Sequence, residues 1–110
     1  MSIAFLKQDK DGKLCFQSDF SILDENFLEL VYQNRYLFDD KIQELFDLDP
    51  YGDTVLSVSK QKTLLSVFQE IKKKQSLLNY KDDDDPGLDK TIQFLNDTIK
   101  NSNIVVANGD

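Results

Sequence analysis

The stretch Asn101-Ser102-Asn103-Ile104-Val105-Val106-Ala107-Asn108-Gly109-Asp110 decides the fold. Residues 104–107 form a short, wholly apolar run between polar punctuation, which is the pattern of a buried strand. The other end of the chain carries a matching signal. Residues 3–6 and 13–16 are short apolar runs flanking Gln8-Asp9-Lys10-Asp11-Gly12. Asp11 favours a turn and Gly12 tolerates positive φ, so the pair reads as a β-hairpin with a loop longer than two residues. Strands at both ends with helical periodicity between them predict an α+β fold. Its small antiparallel sheet is formed by the N-terminal hairpin and the C-terminal strand and packs against three or four helices. At 110 residues and 40% hydrophobic, the chain reads as one domain, residues 1–110, of a size that closes a single core.

Working inward from those strands, Phe27, Leu30, Val31, Asn34 and Phe38 recur at steps of three or four and predict a helix over about 24–38. Ser18, Ser21 and Asp24 are available to cap it. Asp39 or Asp40 is expected to cap a shorter helix carrying Ile42, Leu45 and Phe46, which must stop by Asp49 because Pro50 disfavours helical geometry in the residue before it. Pro50-Tyr51-Gly52-Asp53 then reads as a turn. Residues 54–58 alternate only weakly, and an extended lead-in is preferred to a strand because Ser57 or Ser59 suits the N-cap of the next helix. Leu64, Phe68, Ile71 and Leu78 share the stripe of that helix, expected over about 58–78, with Lys72, Lys73 and Lys74 complementing its negative end. Residues 79–87 break the pattern before Leu88, Ile92, Leu95 and Ile99 space a last amphipathic helix.

Charge is unevenly spread. Residues 19–53 hold ten carboxylates, Asp19, Asp24, Glu25, Glu29, Asp39, Asp40, Glu44, Asp47, Asp49 and Asp53, against Arg35 and Lys41, a local balance of −8 in a chain of net −7. A one-signed field steers oppositely charged partners and repels nucleic acid, so direct nucleic-acid binding is not expected. Residues 60–81 are net +5, six lysines against Glu70. That stretch lacks aromatic interleaving and reads as a solvated helix face.

The candidate chemistries are weak. Catalysis needs a titrating pair or an activated nucleophile, and the chain has no histidine. No Gly-rich phosphate loop, zinc ligand set or nucleophile elbow is present. Aligning Asp9-x-Asp11-Gly12 with a calcium loop puts Lys7 and Ser18 where acids are required, so a turn is the better reading. The run Asp82–Asp85 supplies oxygens without a fixed cage, and Cys15, between Leu14 and Phe16, reads as a small buried residue. The expectation is therefore a binding protein, not an enzyme, with no catalytic residue, cofactor or metal. The first nine residues show no basic leader and only four apolar residues in a row, which predicts a cytoplasmic protein without a signal peptide or membrane segment.

The most distinctive string is Asp49-Pro50-Tyr51-Gly52-Asp53-Thr54, a stiff acid-flanked turn presenting a tyrosine. Aromatic side chains on rigid backbone make good interface anchors. That turn, the helix after it and an apolar strand ending in Gly109-Asp110 resemble the short acidic immunity proteins encoded beside bacterial polymorphic toxins, including those of contact-dependent growth inhibition systems. The likeness covers about residues 39–78 and the last seven. The resemblance implies a protein that binds the toxin domain of its own system, commonly a nuclease, and blocks its active site or substrate entry. The partner-binding surface expected on the acidic turn comprises Asp39, Asp40, Glu44, Asp47, Asp49, Tyr51 and Asp53. The alternatives are an adaptor or subunit docking through exposed aromatics, and a small enzyme using two converging carboxylates.

Overall fold

The computed structural model describes residues 2–8, 14–48, 51–78 and 87–109, with side chains throughout except at 14–19. Residues 9–13, Asp49, Pro50 and Asp82–Asp85 lie outside it, as does the Cys15 side chain, so the readings that rest on them are not addressed.

The fold is α+β, as the terminal strands predict. A four-stranded antiparallel sheet has the order β2-β1-β4-β3, with β1 at Ile3–Gln8, β2 at Leu14–Leu23, β3 at Asp53–Leu56 and β4 at Val105–Gly109. The N- and C-terminal strands pair in the middle, Phe5 opposite Ala107 and Ile3 opposite Gly109. The described residues also form four α-helices: α1 at Glu25–Gln33, α2 at Gln43–Phe46, α3 at Val58–Lys73 and α4 at Leu88–Lys100.

Strand alternation sorts the sheet into two faces. Ile3, Phe5, Leu23, Leu56, Val105 and Ala107 are buried in one cluster with Phe27, Val31, Leu64, Phe68, Ile71 and Leu95 of the helices. Phe68 of α3 meets Phe5 edge to face, with ring centroids 5.9 Å apart. Ala4, Leu6, Ile22, Val55 and Val106 belong to the other face. There Leu6 and Val106 are buried outside the main cluster, whereas Ile22 and Val55 are exposed.

Several boundaries differ from expectation. Residues 53–56 form a strand, not a lead-in: Thr54 pairs with Ala107 and Leu56 with Val105. The run is too short to show alternation, and its identity comes from β4 lying beside it. β2 extends well past residue 16, because β1 supplies a partner for residues 20–23, among which Ser21 is a strand residue and not a helix cap. The register shifts where Leu6 faces Phe20 but Lys7 faces Cys15, leaving residues 16–19 as extra length on β2.

The helix expected over 24–38 stops at Gln33. Asn34 is the C-cap: its backbone N–H bonds the Leu30 carbonyl at 3.1 Å, its side-chain amide donates to the same oxygen at 2.9 Å, and residues 35–37 tighten into a 3₁₀ turn. The N-cap is Asp24, which accepts from the Phe27 N–H at 3.2 Å. Ser57 caps α3 in the same way, accepting from the Lys60 N–H at 3.3 Å. α3 ends at Lys73, and Gln75–Leu78 continues it as 3₁₀.

Buried polar groups fasten helices to sheet. Gln61, fully buried on α3, donates to the carbonyls of Leu56 at 3.0 Å and Asn103 at 2.8 Å, and its Oε1 accepts from the Thr98 hydroxyl at 2.7 Å. One side chain thus joins β3, α3, α4 and the segment entering β4. Thr91 lies 2.7 Å from the Gly87 carbonyl and 3.0 Å from Ser21 Oγ. Having one proton, it donates to the carbonyl and accepts from Ser21, tying α4 to β2.

Candidate functional site

The expected acidic surface is built by the segment between α1 and α3. Asp39 and Asp40 open a 3₁₀ turn, Asp40–Ile42, that runs directly into α2. Both carboxylates are exposed, as are Glu44, Asp47 and Asp53. Tyr51 is 82% exposed, among the most accessible large side chains described. Asp49 lies outside the described residues.

The structure gathers these residues only in part. Glu44 and Asp47 line one small hollow of about 80 Å³ together with Thr54 and Lys60, so a lysine sits among the acids there. Asp47 also accepts from Gln43 Nε2 at 3.0 Å, and Asp53 accepts from the Asn108 amide across the sheet edge. Asp39 does not cap through its carboxylate. Its backbone N–H donates to Glu70 Oε1 at 3.0 Å.

Glu70 is the hub beneath this segment. Its carboxylate receives the Asp39 N–H and Lys74 Nζ at 3.3 Å, and lies 3.8 Å from Lys41 Nζ. Lys74 in turn donates to the Leu37 carbonyl at 2.7 Å, and Lys41 donates to Ser66 Oγ at 2.7 Å. Burial pushes the Glu70 carboxyl up, but the Asp39 N–H together with Lys74 and Lys41 outweighs this and holds its pKa below the ordinary carboxylate range. Its one sequence signal is being the lone acid among six lysines over residues 60–81.

Two of those lysines, Lys72 and Lys74, are engaged in ion pairs. Lys74 and Lys41 converge on Glu70, and Lys72 pairs with Asp89 of α4 at 2.9 Å. The last pair is well exposed and contributes little to stability.

Two larger hollows are also present. One, about 360 Å³, lies between α4 and the end of β1, lined by Lys7, Phe20, Lys90, Phe94 and Asp97, with Lys90 Nζ 5.3 Å from the Phe20 ring centre. The other, also about 360 Å³, is a groove between α1 and α2. Its apolar lining went unread in the sequence, because Leu28, Leu45 and Leu48 look like core positions until the helices are placed. Among the described residues, no group of three Cys, Asp or Glu side chains converges as metal ligands do. Nor is any described helix long and apolar enough to cross a membrane.

Fold and surface define a small α+β protein: a four-stranded antiparallel sheet with helices packed on one face and exposed carboxylates on the segment linking α1 to β3. No protein-family model, curated protein or solved structure matches the chain.

Proposed function

We propose that this is a cytoplasmic, non-enzymatic immunity protein that binds and neutralises a bacterial toxin domain, with an acidic surface occupying the toxin's basic substrate groove. The observation that carries the reading is the exposure of Asp39, Asp40, Glu44, Asp47 and Asp53 along the segment from α1 into β3, which also carries Tyr51, 82% accessible. Exposed carboxylates attract a basic groove before contact and take the place of substrate phosphates within it, and a solvent-facing tyrosine supplies an anchor. A toxin whose substrate is nucleic acid has such a groove by necessity.

The test is co-purification from the cells that make the protein, followed by co-expression with whatever toxin domain is captured. Rescue of growth, lost on reversing Asp40, Glu44 and Asp47 together, is the expected outcome. Capture of a housekeeping complex with no protection against any toxin would favour an adaptor subunit instead. That second reading draws on Tyr36, 78% exposed, and on Val55, 58% exposed on edge strand β3.

A further inference from the structure

The groove between α1 and α2 has the make-up of a docking surface that the acidic segment does not account for. Its floor is Ile3, Leu28, Leu45 and Leu48, and its walls are Tyr32 and Phe46, whose rings meet edge to face with centroids 5.1 Å apart. The Arg35 guanidinium lies 4.3 Å from the centre of the Tyr32 ring and donates to the Tyr32 carbonyl at 2.8 Å. Tyr32 is therefore held in place while remaining 49% exposed. A volume of about 360 Å³ accommodates one or two large apolar side chains. An open apolar trough walled by fixed aromatics is the setting in which binding hot spots form.

The rim decides what enters. Glu25 and Glu29 both line the groove, and at a spacing of four residues on α1 they lie on one helix face. A second copy of this chain, net −7, would bring like charge to that rim. A segment carrying an apolar side chain flanked by lysine or arginine would satisfy floor and rim together. We propose that the α1–α2 groove is a docking site for a partner-protein segment of that kind, an apolar anchor flanked by basic residues, with Glu29 and Glu25 receiving the cations. This goes beyond the immunity reading. It uses side chains other than those assigned to the toxin-binding surface and does not require the partner to be a toxin.

The probe is a capped peptide, Lys-Ala-Ala-Phe-Leu-Ala-Ala-Lys, titrated into methyl-labelled protein and followed by NMR. The expected result is a saturable shift of the Ile3, Leu28, Leu45 and Leu48 methyls. Binding should weaken about tenfold when Glu29→Lys is combined with Glu25→Lys, and to a similar degree when the peptide's lysines are replaced by glutamate. Both glutamates are exposed, so the variant folds. Three results would each overturn the proposal: no saturable shift at those methyls, equal affinity for the glutamate-flanked peptide, or equal weakening by Glu44→Lys, which would assign the attraction to the general acidic field. The toxin-protection assay is unaffected by any of these outcomes, so the two readings fail separately.

Discussion

Two backbone positions carry consequences out of proportion to their size. Gly87, immediately before α4, has φ +83°, and a Cβ there would meet the Ile22 carbonyl oxygen at 2.0 Å. Gly87→Ala combines left-handed strain with a backbone clash and is expected to destabilise by at least about 2 kcal/mol, read as a lowered urea midpoint. Ser102 is the opposite case. It takes φ +55° just after α4, donates its N–H to the Ile99 carbonyl at 3.1 Å, and is followed by Asn103 N–H donating to Thr98 at 2.9 Å. This is the paired C-terminal closure that glycine normally occupies. Ser102→Gly should therefore raise stability by about 0.5–1 kcal/mol, and thermal unfolding would show it as a rise in Tm. Gln61 is the third decisive residue. Gln61→Leu strands the buried carbonyl of Leu56 and the half-buried one of Asn103 and is expected to cost about 2–4 kcal/mol. Gln61→Glu should be worse at neutral pH, because it sets a buried carboxylate against those two carbonyls, and partly relieved in acid as the group takes a proton. Chemical denaturation at two pH values separates these outcomes. The opposite ranking at pH 7 would mean that the packing volume of Gln61 matters more than its amide.

Among the elements, the segment between α1 and α3 is held by the burial of Phe38, Ile42, Leu45 and Leu48 and, on its polar side, by Glu70. The carboxylate joins the Asp39 N–H, Lys74 and Lys41, and through Lys74 the Leu37 carbonyl. With its folded pKa lowered, Glu70 binds fewer protons in the folded than in the unfolded chain across the interval between the two values. Its contribution is thus complete above the unfolded value of about 4.3 and is lost as pH falls through the folded value. Glu70→Gln is expected to cost about 1–2 kcal/mol at pH 7, with the gap to the wild type closing as pH falls below about 4. A gap that stayed constant with pH would show that the Glu70 contribution comes from hydrogen bonding and not from its charge. This element also shows why local reading falls short. The periodicity of residues 24–38 is real, yet the helix closes at Asn34, which caps it with both its backbone and side-chain N–H groups. Residues 53–56 have no strong local preference and become a strand because β4 offers a ladder.

For the molecule as a whole, folding brings some of the bases of the chain against acids distant in sequence. Lys41, Lys72 and Lys74 pair with Glu70 and Asp89, and Lys60 shares a hollow with Glu44 and Asp47. The exposed carboxylates of residues 39–53 still dominate a molecule of net charge −7. Reversing Asp40, Glu44 and Asp47 to lysine should slow association with a basic partner about tenfold or more at low salt and flatten its salt dependence. Folding stability should move by less than about 1 kcal/mol, because all three side chains are exposed. Stopped-flow association at several salt concentrations, paired with denaturant unfolding, tests both halves.

The sequence by itself determined the α+β class, the terminal strands, the stripes of α3 and α4, and the excess of acid between residues 19 and 53, and it narrowed the α1 cap to Ser18, Ser21 or Asp24. These are local properties, written in spacing of a few residues and in composition. Tertiary structure alone decided that β3 joins the sheet, that Gln61 rather than an apolar residue fastens four pieces of the fold, and that Glu70 gathers two lysines. It alone opened an apolar groove between α1 and α2. Each depends on partners distant along the chain, and no periodicity encodes which buried amide or carboxylate will find them.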